Sequence, residues 1–477
     1  MELTPKNHAT AGRVVAQRKP EDPRVLSIGQ ERLWYLSQLS PSAYNMPYAS
    51  RIHGPLDLGL LERVLNSIIG RHEVLRTVIL SVRGKPMPVL LKKWDLQVKH
   101  VDLRRLSSEI KEQECGRVLV EEAARPFNFS RDLMLRATVI QLEDDDFEFL
   151  HTAPHLAFEG GSVRVLFREL SLLYGAALRG REPKLPKLPV QFADFALWQR
   201  RLLQGDRLES LMHYWRERLK NPPIVDLPAD HLRPAVYTAR GVRHFFLFPP
   251  QLLTTALEFF RSSAGSTPYR GLCAAFLAFL HAYSELTDIT LGSPFAPRCT
   301  GIEDLIGFFV NTVVLRTEVS GKSNFLELVK RVDTEVSSVI EQSDLTFEKI
   351  VEASQIRRDA SRMPLSQMNF RAPKQPYPIL EINGLSADRA RYIDNKTSKF
   401  DLGLEIDPTV GKACFFEYYS DLFAESTIRM MVSDFLGMLE SLIEKPDVPI
   451  ASLDIVHSIR QRVLHGRARD FGLTFQA

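Results

Sequence analysis

Cysteine is scarce, charge is balanced, and no apolar run is long. Each shortage removes a class of protein. Cys115, Cys273, Cys299 and Cys414 are the only cysteines in 477 residues. They are scattered, with no Cys-x-x-Cys pair and no histidines at ligand spacing, so a disulfide framework and a thiolate metal site are both excluded. Reduced, mostly buried thiols are the expectation, and with them a cytoplasmic protein. The 61 basic and 58 acidic residues leave a net charge of +3, which gives no reason to expect nucleic acid as a partner. No stretch is long and apolar enough to span a bilayer, so no membrane role is expected. The N-terminus, "MELTPKNHATAGRVVAQRKPEDPR", has no apolar region of the kind a secretory signal needs. Residues 1–24 read as a flexible leader.

What is there is an ordinary globular composition, 44% hydrophobic and 25% charged, in a chain long enough for two joined lobes. "VLSIGQERLWYLSQL" has helical apolar spacing from Ile28 to Leu39. Leu60, Leu61, Val64, Leu65 and Ile68 form one face of a second helix, with Gly70 as its expected stop. "PMPVLL", "LMLRATVIQL" and "FEFLHTA" read as strands. The last of these leads into "PHLAFEG" (residues 154–160) and then into the helical "VRVLFRELSLLYGAAL". Three prolines in "RGREPKLPKLP" suggest a linker at 181–189, between an N-terminal lobe at 25–180 and a C-terminal lobe at 190–477. The second part repeats the alternation of strands and helices, so the class is α/β or α+β.

"PHLAFEG" is weak evidence by itself. A histidine at a strand end is more often structural than catalytic, and a lone glutamate is usually solvated. Its company changes the reading. "LSIGQERLWYL" (Leu26–Leu36), "RHEVLRTVI" (Arg71–Ile79), Pro154-His155-x3-Glu159-Gly160, "FADFALWQ" (Phe192–Gln199), "IGFFVNTVVLR" (Ile306–Arg316), "SDLTFEKI" (Ser343–Ile350) and "RDASRMPL" (Arg358–Leu365) follow in that order. Together they resemble the condensation domain of non-ribosomal peptide synthetases, over most of the chain.

The resemblance implies an α/β fold of two chloramphenicol-acetyltransferase-like lobes, in a V-shaped pseudodimer with a central tunnel. It implies an acyltransferase that joins an acyl group, held on the phosphopantetheine arm of a carrier protein acting in trans, to an amine or alcohol acceptor. That acceptor is a small molecule or is itself carrier-bound. No metal or bound cofactor is expected, and the protein is expected to be monomeric. His155 takes the catalytic position. An imidazole can remove a proton from the attacking amine, donate to the developing oxyanion, or hold the nucleophile in place. Gly160 and Gly161 would let the backbone turn and give the carrier arm room. The first turn of the following helix would turn its N–H groups toward the motif.

Two letters depart from the family pattern, which has the first of two adjacent histidines where Pro154 stands and an aspartate where Glu159 stands. The acidic group would pair with an arginine, Arg298 or Arg76, and shape the loop. Asn311 and Ser361 could line the tunnel, although Asn311 could equally satisfy buried backbone groups. Trp34, Phe192, Phe195 and Trp198 read as core, His151 as a packed histidine, and Asp359 with Arg362 as a structural ion pair. No adenylation or carrier segment follows the motifs, so a freestanding condensation enzyme is expected, forming an amide or a chain-releasing ester. The alternative is a catalytically impaired module that recruits partner proteins. An epimerisation domain finds no support among the motifs.

Overall fold

The protein is described from a computed structural model covering residues 14–470 apart from 182–184, 297–298, 358, 374–376, 410 and 412. The chain forms two compact units. The first comprises residues up to Leu208 together with Ala296–Val310 and Tyr377–Asn395; the second holds the rest. The expected lobes, 25–180 and 190–477, are consecutive in the chain. The observed division is not, because two later stretches pack with the first unit. Of the expected linker at 181–189, residues 185–189 fall within the first unit, and 182–184 lie outside the described residues.

Unit 1 contains α1 (Ile28–Leu39), β1 (Asn45–His53), α2 (Leu58–Arg71), β2 (Thr77–Val82), β3 (Lys85–Leu90), β4 (Lys99–Asp102), α3 (Ser108–Ala124), β5 (Arg136–Glu143), β6 (Asp146–Pro154), α4 (Gly160–Leu178) and α5 (Phe192–Leu202). Unit 2 takes most of α6 (Gly205–Arg218), then β7 (Gly241–Leu247), α7 (Pro250–Ser262), α8 (Pro268–Ser284), β8 (Asp288–Phe295), β9 (Asn311–Glu318), α9 (Phe325–Glu341), α10 (Phe347–Ser354) and β10 (Met368–Arg371). The chain returns to unit 1 for β11 (Ser386–Ala387) and β12 (Arg391–Tyr392), then ends unit 2 with β13 (Leu402–Glu405), β14 (Ala413–Tyr419), α11 (Glu425–Glu444) and α12 (Asp454–Asp470).

The sheet of unit 1 runs β11-β1-β6-β5-β4, with β12 also on β1. β6 lies in its interior, and its side chains alternate between two cores. Leu150 faces Cys115, Val118 and Leu119 of α3. Phe149 and Ala153 face the opposite cluster, which includes Leu61, Leu65 and Ile68 of α2 and Leu166 and Leu170 of α4. With both faces covered, β6 reads as a nearly continuous buried run, which is what "FEFLHTAP" shows. The sheet of unit 2 runs β7-β14-β13-β10-β8-β9. There α8 is buried almost all round, and Phe276 and Phe279 meet Phe416 and Phe435. The α/β class and the two acetyltransferase-like lobes expected from the motifs hold.

Three local expectations change. Gly70 does not stop α2, which continues through Arg71 to a cap at His72. Its role is space: a Cβ there would lie 2.7 Å from the Trp94 ring. The charged α3 is missing from the expected elements. Its apolar positions are few, and they become a buried face only against β5 and β6. The last part of the leader is anchored, because Val15 is buried and its N–H donates to the Thr300 carbonyl, while Arg24 bonds Glu73 at 2.8 Å. Residues 1–13 lie outside the described ones.

His151 is packed, as expected, among Tyr48, Phe149, Phe158 and Phe167. Neither ring nitrogen has a hydrogen-bond partner among the described residues, and burial holds its pKa down to about 3. The folded pKa is depressed, so folding disfavours the charged ring. The unfolded chain binds a proton near pH ~6.5, and stability is lost as pH falls from there toward about 3. His151→Leu removes both that penalty and an unpaired polar group costing about 1–3 kcal/mol. Its melting temperature should exceed that of wild type, by a margin that widens in thermal melts taken below pH ~6.5.

Candidate functional site

The site begins where β6 ends. The His155 N–H donates to the Tyr44 carbonyl at 2.7 Å, so His155 faces β1 in the ladder. By alternation Pro154 faces the β5 side, where the ladder has already ended at Arg136↔Thr152. The proline therefore costs no ladder hydrogen bond, and the strand end is held by its neighbour. The backbone then makes a tight turn. Ala157 N–H donates to the Pro154 carbonyl at 2.9 Å and Phe158 N–H to the His155 carbonyl at 3.3 Å. His155 Nδ1 donates to the Phe158 carbonyl at 2.8 Å. With the proton on Nδ1, Nε2 is the basic nitrogen of the neutral ring. The Phe308 ring stands edge-on to the imidazole, centroids 4.7 Å apart.

Phe308 belongs to residues 296–310, the stretch that unit 1 takes from the middle of the chain. Three side chains hold it. The Glu159 carboxylate accepts the backbone N–H groups of Phe309 at 2.9 Å and Val310 at 2.7 Å. Ser162 Oγ donates to the Gly307 carbonyl at 3.0 Å and lies 3.1 Å from the Gly307 N–H. His72 Nδ1 accepts the Ile306 N–H at 3.3 Å, while Nε2 donates to Glu169 at 3.0 Å. Gly307 has no room for a side chain, because a Cβ would lie 2.2 Å from Phe192. The second, third, fourth and fifth sequence blocks therefore meet around one short segment.

Among the described residues the Glu159 carboxylate bonds two backbone N–H groups, and of the two arginines expected beside it only Arg76 can be placed. Arg76 spends its guanidinium on the carbonyls of Leu91 (2.7 Å) and Gly70 (3.3 Å) and stacks over Trp94, fastening the β2–β3 hairpin to α2. Arg298 lies outside the described residues. Burial pushes the Glu159 pKa up to about 7, against the two N–H donors that favour the ionised form. Gly160 and Gly161 open α4 without a positive φ, so no sharp turn demands them. A Cβ on Gly160 would meet nothing within 4 Å among the described residues.

Asn311 and Ser361, both in unit 2, make local hydrogen bonds. The Asn311 amide donates to the carbonyls of Ser343 and Leu345 and accepts the Phe347 N–H, which fixes the start of α10. The Ser361 hydroxyl donates to Asp359 at 2.7 Å, and Asp359 pairs with Arg362. Trp34, Phe192 and Phe195 are core. His72, Ser162, Phe308 and Gln30 do not stand out in the sequence. The signal for Ser162 is its place in the first turn of a helix beginning "EGGS". Among the described residues no group of three or more His, Cys, Asp or Glu could hold a metal ion, and no helix is long and apolar enough to cross a membrane.

The chain belongs to the condensation-domain family, whose model matches residues 21–465. It is a condensation domain of the non-ribosomal peptide synthetase type. It is 37% identical over 448 residues to a linear gramicidin synthase of Brevibacillus parabrevis, covering 92% of this chain and 6% of that protein. It is 36% identical over 447 residues to phosphinothricin tripeptide synthetase PhsC of Streptomyces viridochromogenes, covering 92% and 41%. The chain therefore spans less than half of these relatives' length. Among solved structures, the X-domain from teicoplanin biosynthesis aligns with a TM-score of 0.83 at 25% identity, covering 92% of this chain and 99% of that one. The same domain in complex with OxyB aligns at 0.81 and 26%, covering 93% and 98%. The SgcC5 protein from Streptomyces globisporus aligns at 0.74 and 25%, covering 89% and 99%.

Two measurements test Glu159. Glu159→Ala strands two N–H groups and should cost about 2 kcal/mol in urea unfolding. The pH test follows from the raised folded pKa, which means that folding favours the protonated form. The stability this group contributes is full below the unfolded value of about 4.3 and is lost as pH rises through about 7. Glu159→Gln should abolish that component, so its stability relative to wild type should grow between pH ~5 and ~8.

Proposed function

We propose that this chain is an acyltransferase that condenses a carrier-bound acyl thioester with an amine or alcohol. One observation carries the reading: the turn after β6 holds the Nδ1–H of His155 on the Phe158 carbonyl and leaves Nε2 as the basic nitrogen. In the proposed reaction the acceptor nitrogen or oxygen attacks the thioester carbonyl and gives its proton to Nε2. The C–S bond then breaks, and the proton passes to the departing thiolate of the phosphopantetheine arm. The room for a side chain at Gly160 and the N-terminal N–H groups of α4 suit the negative charge that develops on the carbonyl oxygen. The donor would be delivered by a carrier protein acting in trans. The complex of SgcC5 with a naphthyl ethanediol supports including alcohols, and so ester formation and chain release, among the reactions.

A second reading is a module that recruits partner proteins. The likeness to an X-domain seen in complex with OxyB favours it. The two departures from the family motif favour it less than the letters alone suggest. Pro154 costs no ladder bond, and Glu159 occupies its position with two hydrogen bonds.

Turnover separates the readings. Purified protein is offered acyl-carrier thioesters with panels of amines and alcohols, and offloading is followed by intact mass. Wild type should release product, and His155→Ala should be slower by roughly 10² or more. The variant should melt close to wild type, since the Nδ1 bond that it loses closes only a short local turn. Equal turnover by wild type and His155→Ala would remove the histidine from the chemistry and leave recruitment as the better account.

A further inference from the structure

The chemistry proposed above uses one imidazole, but the turn that presents it is tied from outside by a residue of the first sequence block. Gln30 lies in the first turn of α1 and is 4% exposed. The two ends of its amide meet opposite partners. Oε1 accepts the Ser27 N–H at 3.0 Å, and Ser27 Oγ accepts the Gln30 N–H at 3.1 Å, which closes a capping box. Nε2 donates to the Leu156 carbonyl at 2.8 Å.

A capping box needs only the acceptor, so glutamate serves there as well as glutamine. The bond to Leu156 is what distinguishes the glutamine. Leu156 sits at the middle of the catalytic turn, between the His155 ring and the Phe158 carbonyl that holds its Nδ1–H. The turn's own bonds use the carbonyls of Pro154, His155 and Phe158, and Gln30 takes that of Leu156. The next residue back, Gly29, packs against the Phe308 ring that meets the imidazole. A Cβ there would lie 2.7 Å from Phe308 Cε1, so the helix start backs the ring that stands against His155.

We propose that Gln30 is a positioning residue for His155: by holding the Leu156 carbonyl it fixes the turn that keeps the proton on Nδ1 and Nε2 basic. This rests on the reading of His155 as the proton acceptor. A role in the helix cap alone predicts something different, because Gln30→Glu keeps the cap acceptor and, once the carboxyl is ionised, lacks only the donor to Leu156. Gln30→Met keeps length and buried volume without introducing a charge.

The full chain, labelled with ¹⁵N-histidine, reports the tautomer of His155, whose signals are those lost in His155→Ala. Wild type at pH about 8 should carry its proton on Nδ1. Both Gln30 variants should show a mixture of tautomers. In the offloading assay kcat should fall about tenfold or more with KM little changed, as for a displaced catalytic group. The loss in Gln30→Glu should also deepen with rising pH, as the introduced carboxyl ionises and can no longer donate to Leu156. Wild-type tautomer and wild-type kcat in either variant would overturn the proposal. If wild type itself turns nothing over, the acyltransferase reading fails, and the tautomer spectra still decide what Gln30 does.

Discussion

One carboxylate and two backbone N–H groups join the parts of the site. Glu159 stands at the N-terminus of α4 and accepts Phe309 and Val310, 150 and 151 positions further along the chain. Around that bond Ser162 and His72 add theirs, and Phe192 and Phe195 close on Phe309. The side chain that meets the imidazole, Phe308, is delivered by the same segment. Without that attachment the loop bearing His155 would keep its turn but lose the surface against which the ring is set. Glutamate can do this in place of aspartate because backbone N–H groups on a segment are less exacting partners than the fork of a guanidinium.

The geometry around His155 depends more on main-chain carbonyls than on other side chains. His155 is oriented by Phe158, and the strand end is held through Tyr44. Backbone partners set the tautomer without bringing a second charge beside the ring. His151, four residues earlier, shows the opposite solution: it is sealed among aromatic rings and kept neutral. The two histidines sit near one strand end, and what separates their chemistry is whether a polar group reaches the ring.

Much of the fold is legible in the sequence. The apolar face of α2, the continuous run of β6 and the almost wholly apolar α8 each carry their burial in their spacing. The α3 helix does not, since its amphipathic pattern is mostly charge. The seven motif blocks point to His155 and Glu159, because motifs are contiguous letters. They cannot say that Glu159 bonds main chain, since a backbone N–H has no letter. Arg76 looks available for pairing because its use by two carbonyls and the Trp94 face depends on how the β2–β3 hairpin folds back. Asn311 sits in the most recognisable block and caps α10, which a one-dimensional reading cannot separate from a lining role.

The interleaving of the two units has a consequence for how the protein is made. Unit 1 takes β11 and β12, which extend its sheet at β1, from as late as Asn395. A ribosome adding about 5–20 residues per second needs roughly 8–30 s to pass from Glu159 to the N–H groups it will hold. The unit that carries the histidine therefore cannot reach its final form while only the first half of the chain exists. It must wait with a strand edge and a helix N-terminus unfilled, in contact with whatever else is nascent. A cut after the last helix of the N-terminal segment would leave that state permanent. For this chain the natural limit of an independently folding fragment lies beyond both returning segments.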